Sequence, residues 1–198
     1  MTRRENLDKL LAEIRACRVC APYLPHGVRP IIRASRTAKL LIAAQAPGIR
    51  VHETGLSFND PSGDRLRDWL GIDRETFYDE SRISIVGMGF CFPGYTDAGA
   101  DKPPRPECAP LWQARLKAAL PEAHLTLAVG TYAIKWYLGE ARKSNMTDTV
   151  KAWREYGPDL MPLPHPSWRN NAWLKKNPWF EKKLLPDLRA RVQRALAS

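Results

Sequence analysis

Residues 40–48 read Leu40-Leu41-Ile42-Ala43-Ala44-Gln45-Ala46-Pro47-Gly48, a short apolar run that stops at a proline–glycine turn. The run is too short for a core helix and does not alternate, which is how a strand buried on both faces reads. Ile83-Ser84-Ile85-Val86 and Leu125-Thr126-Leu127-Ala128-Val129 repeat the pattern. A fourth run, Leu160-Met161-Pro162-Leu163, holds a proline that cannot donate to a ladder, so it belongs at a sheet edge. Helices are expected between the strands, over about 62–70, 108–119, 131–138 and 147–155. A first amphipathic helix is expected over 4–17, with Leu7, Leu10, Leu11 and Ile14 at helical spacing, and a last one near 179–197. Strand, loop and helix in alternation predict an α/β fold: three-layer α/β/α with a central, mainly parallel four-stranded sheet. No repeat or linker is visible, and the proline-rich stretch 93–110 reads as a long ordered loop, so residues 1–198 are expected to form a single domain.

At 44% hydrophobic and 26% charged residues, the 198-residue chain falls in the globular range, which excludes wholesale disorder and a fibrous protein. No apolar run approaches the roughly 20 residues of a membrane helix, so no membrane partner is expected. The opening Met1-Thr2-Arg3-Arg4-Glu5-Asn6 is charged and lacks an apolar signal core, which makes a cytoplasmic protein the default. The formal net charge is +10, unevenly spread. Residues 165–198 hold eight basic and two acidic side chains, whereas residues 51–100 hold four and nine. A tail this basic suggests a polyanion partner, although a solvated basic helix would carry the same charge.

In such sheets ligands bind at the carboxyl ends of the strands. Gln45-Ala46-Pro47-Gly48 follows the first strand, Gly87-Met88-Gly89-Phe90-Cys91-Phe92 the second, and His165-Pro166-Ser167 the fourth, so one pocket can collect all three. The four cysteines are Cys17 and Cys20, in a C-x2-C pair, and Cys91 and Cys108, with 16 residues between them. They match a four-thiolate site for zinc or an iron–sulfur cluster. Disulfides are disfavoured in a cytosolic chain, and four unrelated buried thiols are the alternative. Spacing does not choose between the metals.

The order of these motifs resembles the iron–sulfur (family 4) uracil-DNA glycosylases: C-x2-C on a first helix, Ala46-Pro47-Gly48 after a strand, Gly55-Leu56-Ser57-Phe58, two distant cysteines, then His165-Pro166-Ser167. The resemblance covers nearly the whole chain. It implies a [4Fe-4S] cluster on Cys17, Cys20, Cys91 and Cys108, with zinc as the lesser alternative, serving to pin DNA-contacting loops rather than to cleave. It also implies a monofunctional, monomeric DNA glycosylase that flips a damaged, deaminated base such as uracil and hydrolyses its N-glycosidic bond. The DNA is single- or double-stranded, and the motifs contain no recognisable lysine nucleophile for a lyase step.

By the same resemblance, Phe58 stacks on the extruded base (a core aromatic being its alternative), and His165 donates to the base oxygen, where negative charge develops. Gln45 takes the place of the family's glutamate, to bind the base edge or position a water. Ala46 and Gly87 fall in the base site, and Pro47 and Gly48 form a turn whose amides approach a base or phosphate closely. Ser167, Arg169 and Asn170 contact DNA. Three tryptophans, Trp168, Trp173 and Trp179, lie among Arg169, Lys175 and Lys176, a pattern suited to gripping phosphates and wedging into a duplex; packing of the last helix onto the sheet is the alternative, expected of at least one of them.

Two departures stand out. Gly87 occupies the position of an asparagine that reads the uracil edge, and Ile49-Arg50-Val51-His52 replaces an acidic cluster, leaving Glu53. Losing site-built hydrogen bonds relaxes or changes base choice, and His52 or Glu53 is a candidate to supply the missing polar group. The same departures favour a second possibility, a non-catalytic metal-bearing nucleic-acid binder. A third, an enzyme acting on a small nucleotide, is disfavoured by the extended basic tail.

Overall fold

The computed structural model describes residues 6–120 and 123–197; the charged N-terminus and the first two residues of the expected opening helix lie outside them. In chain order the regular elements begin with α1 (Leu7–Ala16), β1 (Leu40–Ala44), α2 (Ile49–Thr54), α3 (Pro61–Leu70), α4 (Arg74–Tyr78) and β2 (Ile83–Gly87). There follow α5 (Cys108–Ala119), β3 (Leu125–Val129), α6 (Thr131–Leu138), α7 (Met146–Lys151), β4 (Leu160–Leu163), α8 (Asn171–Lys176) and α9 (Leu185–Ala197).

The four strands form one sheet in the order β2-β1-β3-β4, and every pairing is parallel. Leu40, Ile42 and Ala43 are buried, as a strand covered on both faces requires. β4 is an edge, where Pro162 is tolerated. The sheet separates two apolar clusters. On one face α3, α6 and α9 cover Leu40, Ile42, Ile85 and Leu127; on the other, α1 and α5 cover Val86 with Leu10, Ile14, Trp112 and Leu116. Helices therefore pack on both faces of a parallel sheet, the expected three-layer α/β/α arrangement.

The helices start where short polar side chains can accept orphan amides. Asn6 accepts from the Asp8 and Lys9 amides to open α1, Asp60 from Gly63 to open α3, and Asn145 from Asp148 to open α7. The expected last helix over 179–197 divides into a wide π turn, Phe180–Leu184, and then α9. Pro186 has no amide to give to that segment, which accounts for the break. The helix expected over 147–155 ends at Lys151, and a 3-10 turn, Trp153–Tyr156, follows. There Trp153 turns inward and donates its indole N–H to Asp187 at 2.7 Å. No helix among the described residues is long and apolar enough to cross a membrane.

Candidate active site

The carboxyl ends of β1, β2 and β4 open into one cleft of about 660 Å³. All ten residues expected to act on base or DNA line it: Gln45, Ala46, Pro47, Gly48, Phe58, Gly87, His165, Ser167, Arg169 and Asn170. Two bonds beyond the strands hold the first two walls together, the Met88 amide donating to the Ala44 carbonyl at 2.8 Å and the Gly89 amide to the Gln45 carbonyl at 2.9 Å. The third wall, after β4, is fixed from two sides. Arg65 donates to the Ser167 carbonyl at 3.0 Å, and the Asn170 amide nitrogen donates to the His165 carbonyl at 2.6 Å. The amide nitrogen of Asn170 thus positions the histidine loop.

Phe58 has φ +55°, the one positive φ of a non-glycine residue among the described ones. A left-handed backbone at a bulky residue is a strained conformation that its surroundings must enforce. Those surroundings are explicit. Tyr78 Oη donates to the Ser57 carbonyl at 2.9 Å, and the Phe77 ring meets the Phe58 ring edge-on at a centroid distance of 6.1 Å. Gly63 lies directly beneath: a Cβ there would stand 1.7 Å from the Phe58 carbonyl oxygen. The sequence Phe58-Asn59-Asp60-Pro61-Ser62-Gly63 therefore builds a cap, a proline start and a bare contact that hold one ring at the cleft. Phe58 is both cleft lining and core aromatic, so its two sequence-based expectations coexist.

His165 is enclosed by the cleft wall, and the desolvation lowers its pKa, with Asp60 pulling weakly the other way. The imidazole is neutral near pH 7 and can donate one N–H without bringing a buried charge. Gln45 makes no side-chain hydrogen bond among the described residues and leaves its amide available to a ligand. Gly87 is glycine for a steric reason: a Cβ there would lie 2.3 Å from the Gly89 carbonyl oxygen. No larger residue fits at position 87 without moving the following turn.

Comparison with known protein families matches residues 33–189 to the Uracil DNA glycosylase superfamily. The chain belongs to that superfamily. Its members are typically DNA glycosylases, hydrolases that act on DNA. The matched span runs from before β1 into α9 and takes in all ten of the residues expected to act on base or DNA.

Cys17 and Cys20 precede the matched span, yet they meet Cys91 and Cys108 in space. All four line one small cavity with Ile14, Leu24, Phe90 and Trp112. Cys17 ends α1, Cys91 follows β2 and Cys108 opens α5, so the cavity joins three parts of one sheet face. Burial pushes Cys91 up to about 11 and Cys108 up to about 12, and the sulfurs of the other cysteines add to both shifts. The donor set fits a four-thiolate group. Among the described residues, no three histidine, cysteine, aspartate or glutamate side chains converge closely enough to hold a single metal ion.

Several expectations need correction. Of the three clustered tryptophans only Trp168 is open, at 71% exposure, with the Arg169 guanidinium 5.3 Å from its ring centre. Trp173 and Trp179 pack on each other and on Phe180, and their indoles donate to Thr147 and Asn177. They seat the C-terminal helices and do not grip phosphate. Arg189 and Arg191 likewise bond main-chain carbonyls of Asp68, Trp69 and Gly157, which removes part of the basic tail from the free surface. His52 and Glu53 are absent from the cleft lining; His52 faces Phe92, with its ring 6.1 Å away.

Asp60, Arg65, Asp101 and Lys102 also line the cleft and were not expected there. Asp60 carries a readable signal, aspartate before proline at a helix start. Asp101 carries none, because it arrives on a hairpin within the loop between β2 and α5. Tyr95 and Asp101 form an antiparallel bridge there, with Thr96 and Gly94 bonding Ala100 and Lys102 across it.

Proposed function

We propose that this chain is a monofunctional DNA glycosylase of the iron–sulfur (family 4) type, hydrolysing the N-glycosidic bond of a flipped-out deaminated base such as uracil. The observation that carries the proposal is the single cleft in which Phe58, Gln45 and His165 meet beneath an open Trp168. Extrusion of a nucleotide costs a few kcal/mol. On this reading Trp168, on the cleft wall, is the aromatic wedge that fills the vacated stack, and Arg169 and Lys102 meet phosphates. Stacking on Phe58 contributes about 1–3 kcal/mol toward the extruded state. As the bond to the sugar lengthens, charge collects on the base oxygen, and the neutral His165 donates to it more strongly than in the ground state.

Base selection follows from Gly87. With no amide side chain at that position, the base edge meets the Gln45 amide and the Gly89 carbonyl, so selection is broader than for uracil alone. Cys17, Cys20, Cys91 and Cys108 are assigned to a [4Fe-4S] cluster, which supplies structural cross-linking of α1, the β2 loop and α5. Zinc, which four thiolates also hold, is the lesser alternative for the same residues.

The test is release of free base from oligonucleotides holding one uracil, one hypoxanthine or only normal bases, in single and double strands. Excision of a deaminated base with the sugar–phosphate backbone left intact is expected. Binding to the lesion without release of any base would overturn the catalytic claim. It would leave the second reading, a lesion binder, which the absence of an acid at position 45 and of a side chain at position 87 favours.

A further inference from the structure

The glycosylase proposal leaves the attacking water without a base. Gln45 carries no charge, and the acidic cluster after Gly48 is missing from this chain. Hydrolysis by a donor alone would form a protonated sugar–water adduct beside an anion, so a carboxylate near the sugar face is chemically required for speed. Two aspartates line the cleft, Asp60 and Asp101. Asp60 is engaged: its Oδ1 accepts the Gly63 amide at 2.8 Å and caps α3 beneath Phe58. Asp101 is free, its side chain making no hydrogen bond or ion pair among the described residues.

The placement of Asp101 is built. The bridge to Tyr95 fixes its backbone, closed by the Thr96 amide on the Ala100 carbonyl at 2.7 Å and the Lys102 amide on the Gly94 carbonyl at 2.9 Å. Its Oδ2 lies 3.3 Å from the point where a side-chain carbon on Gly48 would stand. The hairpin therefore brings a carboxylate onto the Pro47-Gly48 turn, where the acidic cluster would have begun. It is also an anion on the wall of a cleft meant for a polyanion, in a chain of net charge +10. Such a charge weakens DNA binding, and on binding grounds alone it is misplaced.

We propose that Asp101 is the catalytic carboxylate that orients and deprotonates the attacking water, delivered from the loop between β2 and α5 instead of from the β1 turn. This rests on the glycosylase proposal. The water oxygen bonds to C1′ while its proton passes to the Asp101 carboxylate. The C1′–N bond breaks, and its electron pair leaves with the base as an anion held by His165. The proton on Asp101 then returns to solvent or to the departing base, so no oxidant or further reactant enters.

The experiment compares wild type, Asp101→Asn, Asp101→Glu and Asp60→Asn by single-turnover excision and by equilibrium binding to the same lesion oligonucleotide. Asp101→Asn is expected to slow excision by about 10²–10⁴-fold, the usual span of a positioned acid–base group, while binding DNA as tightly as wild type or more so. Asp101→Glu recovers part of the rate. Asp60→Asn keeps the α3 cap, because asparagine caps a helix as well as aspartate does, and so reports whether the other cleft carboxylate is the base instead. Excision by Asp101→Asn within threefold of wild type overturns the assignment, as does a loss confined to Asp60→Asn. Wild-type protein that excises nothing overturns the glycosylase proposal and this one with it, a result distinct from equal rates in both proteins.

Discussion

Gly63→Ala is the most informative single perturbation, because it touches no ligand and acts through one contact. The added methyl carbon would stand 1.7 Å from the Phe58 carbonyl oxygen, 2.6 Å from its carbonyl carbon and 2.9 Å from its Cβ. Side-chain carbons do not sit closer than 3.0 Å to such atoms, so the α3 start and the Phe58 backbone must separate by more than an ångström. The stability effect has two opposing parts. Overpacking costs about 1–3 kcal/mol, and replacing glycine in a helix recovers up to about 1 kcal/mol. The net is a loss of about 0–3 kcal/mol, or a melting temperature lower by about 2–4 °C for each kcal/mol in a chain of this size. The effect on excision is larger, since a misplacement of about 1 Å in a positioned group costs about 10²-fold. Single-turnover excision alongside a thermal melt measures both. A variant that melts higher than wild type and excises within threefold of it would refute the claim that Gly63 holds Phe58 in its left-handed conformation.

His165→Ala is expected to lower excision by about 10²–10³-fold, with DNA affinity little changed, as read by single-turnover rates and anisotropy. Excision by the wild type should fall as pH drops through the Asp101 pKa. That pKa stands above the ordinary 3.8 because partial burial and Asp60 raise it against the pull of Arg169, with Tyr95 facing it across the hairpin. The carboxylate is the active form, so activity is lost on the acid side, and the residual rate of Asp101→Asn should lack that limb. Trp168→Ala should slow excision from duplex by about tenfold more than from single strands, since only the duplex must be held open. Cys108→Ser should abolish the broad visible absorbance expected of the purified protein and lower its melting temperature; a colourless wild type would refute the cluster.

The sheet was legible because each buried strand is a short, mostly apolar run, interrupted only by the small hydroxyls of Ser84 and Thr126, and the edge position of β4 followed from Pro162 alone. The cleft residues were legible because three motifs sit at strand ends, where a parallel sheet collects its loops. The short helices α2, α4 and α8 were not, since five or six residues hold too little periodicity to declare themselves. Trp173 and Trp179 misled for a different reason: a tryptophan beside a lysine looks the same whether its ring faces DNA or Phe180. Asp101 was invisible because its placement depends on a hairpin inside a proline-rich loop, which no periodic pattern announces. The strain at Phe58 likewise arises from a contact with Gly63, and backbone dihedrals leave no trace in composition.

The sheet divides the hydrophobic interior into two compartments, and the four thiols border only the one under α1 and α5. Oxidative damage at that corner would loosen a single flank, while Phe58 and its supporting helix α3 rest on the opposite side. An aged or air-exposed sample should therefore lose its grip on the amino-terminal helix before it loses the shape of the base pocket, decaying by halves rather than all at once.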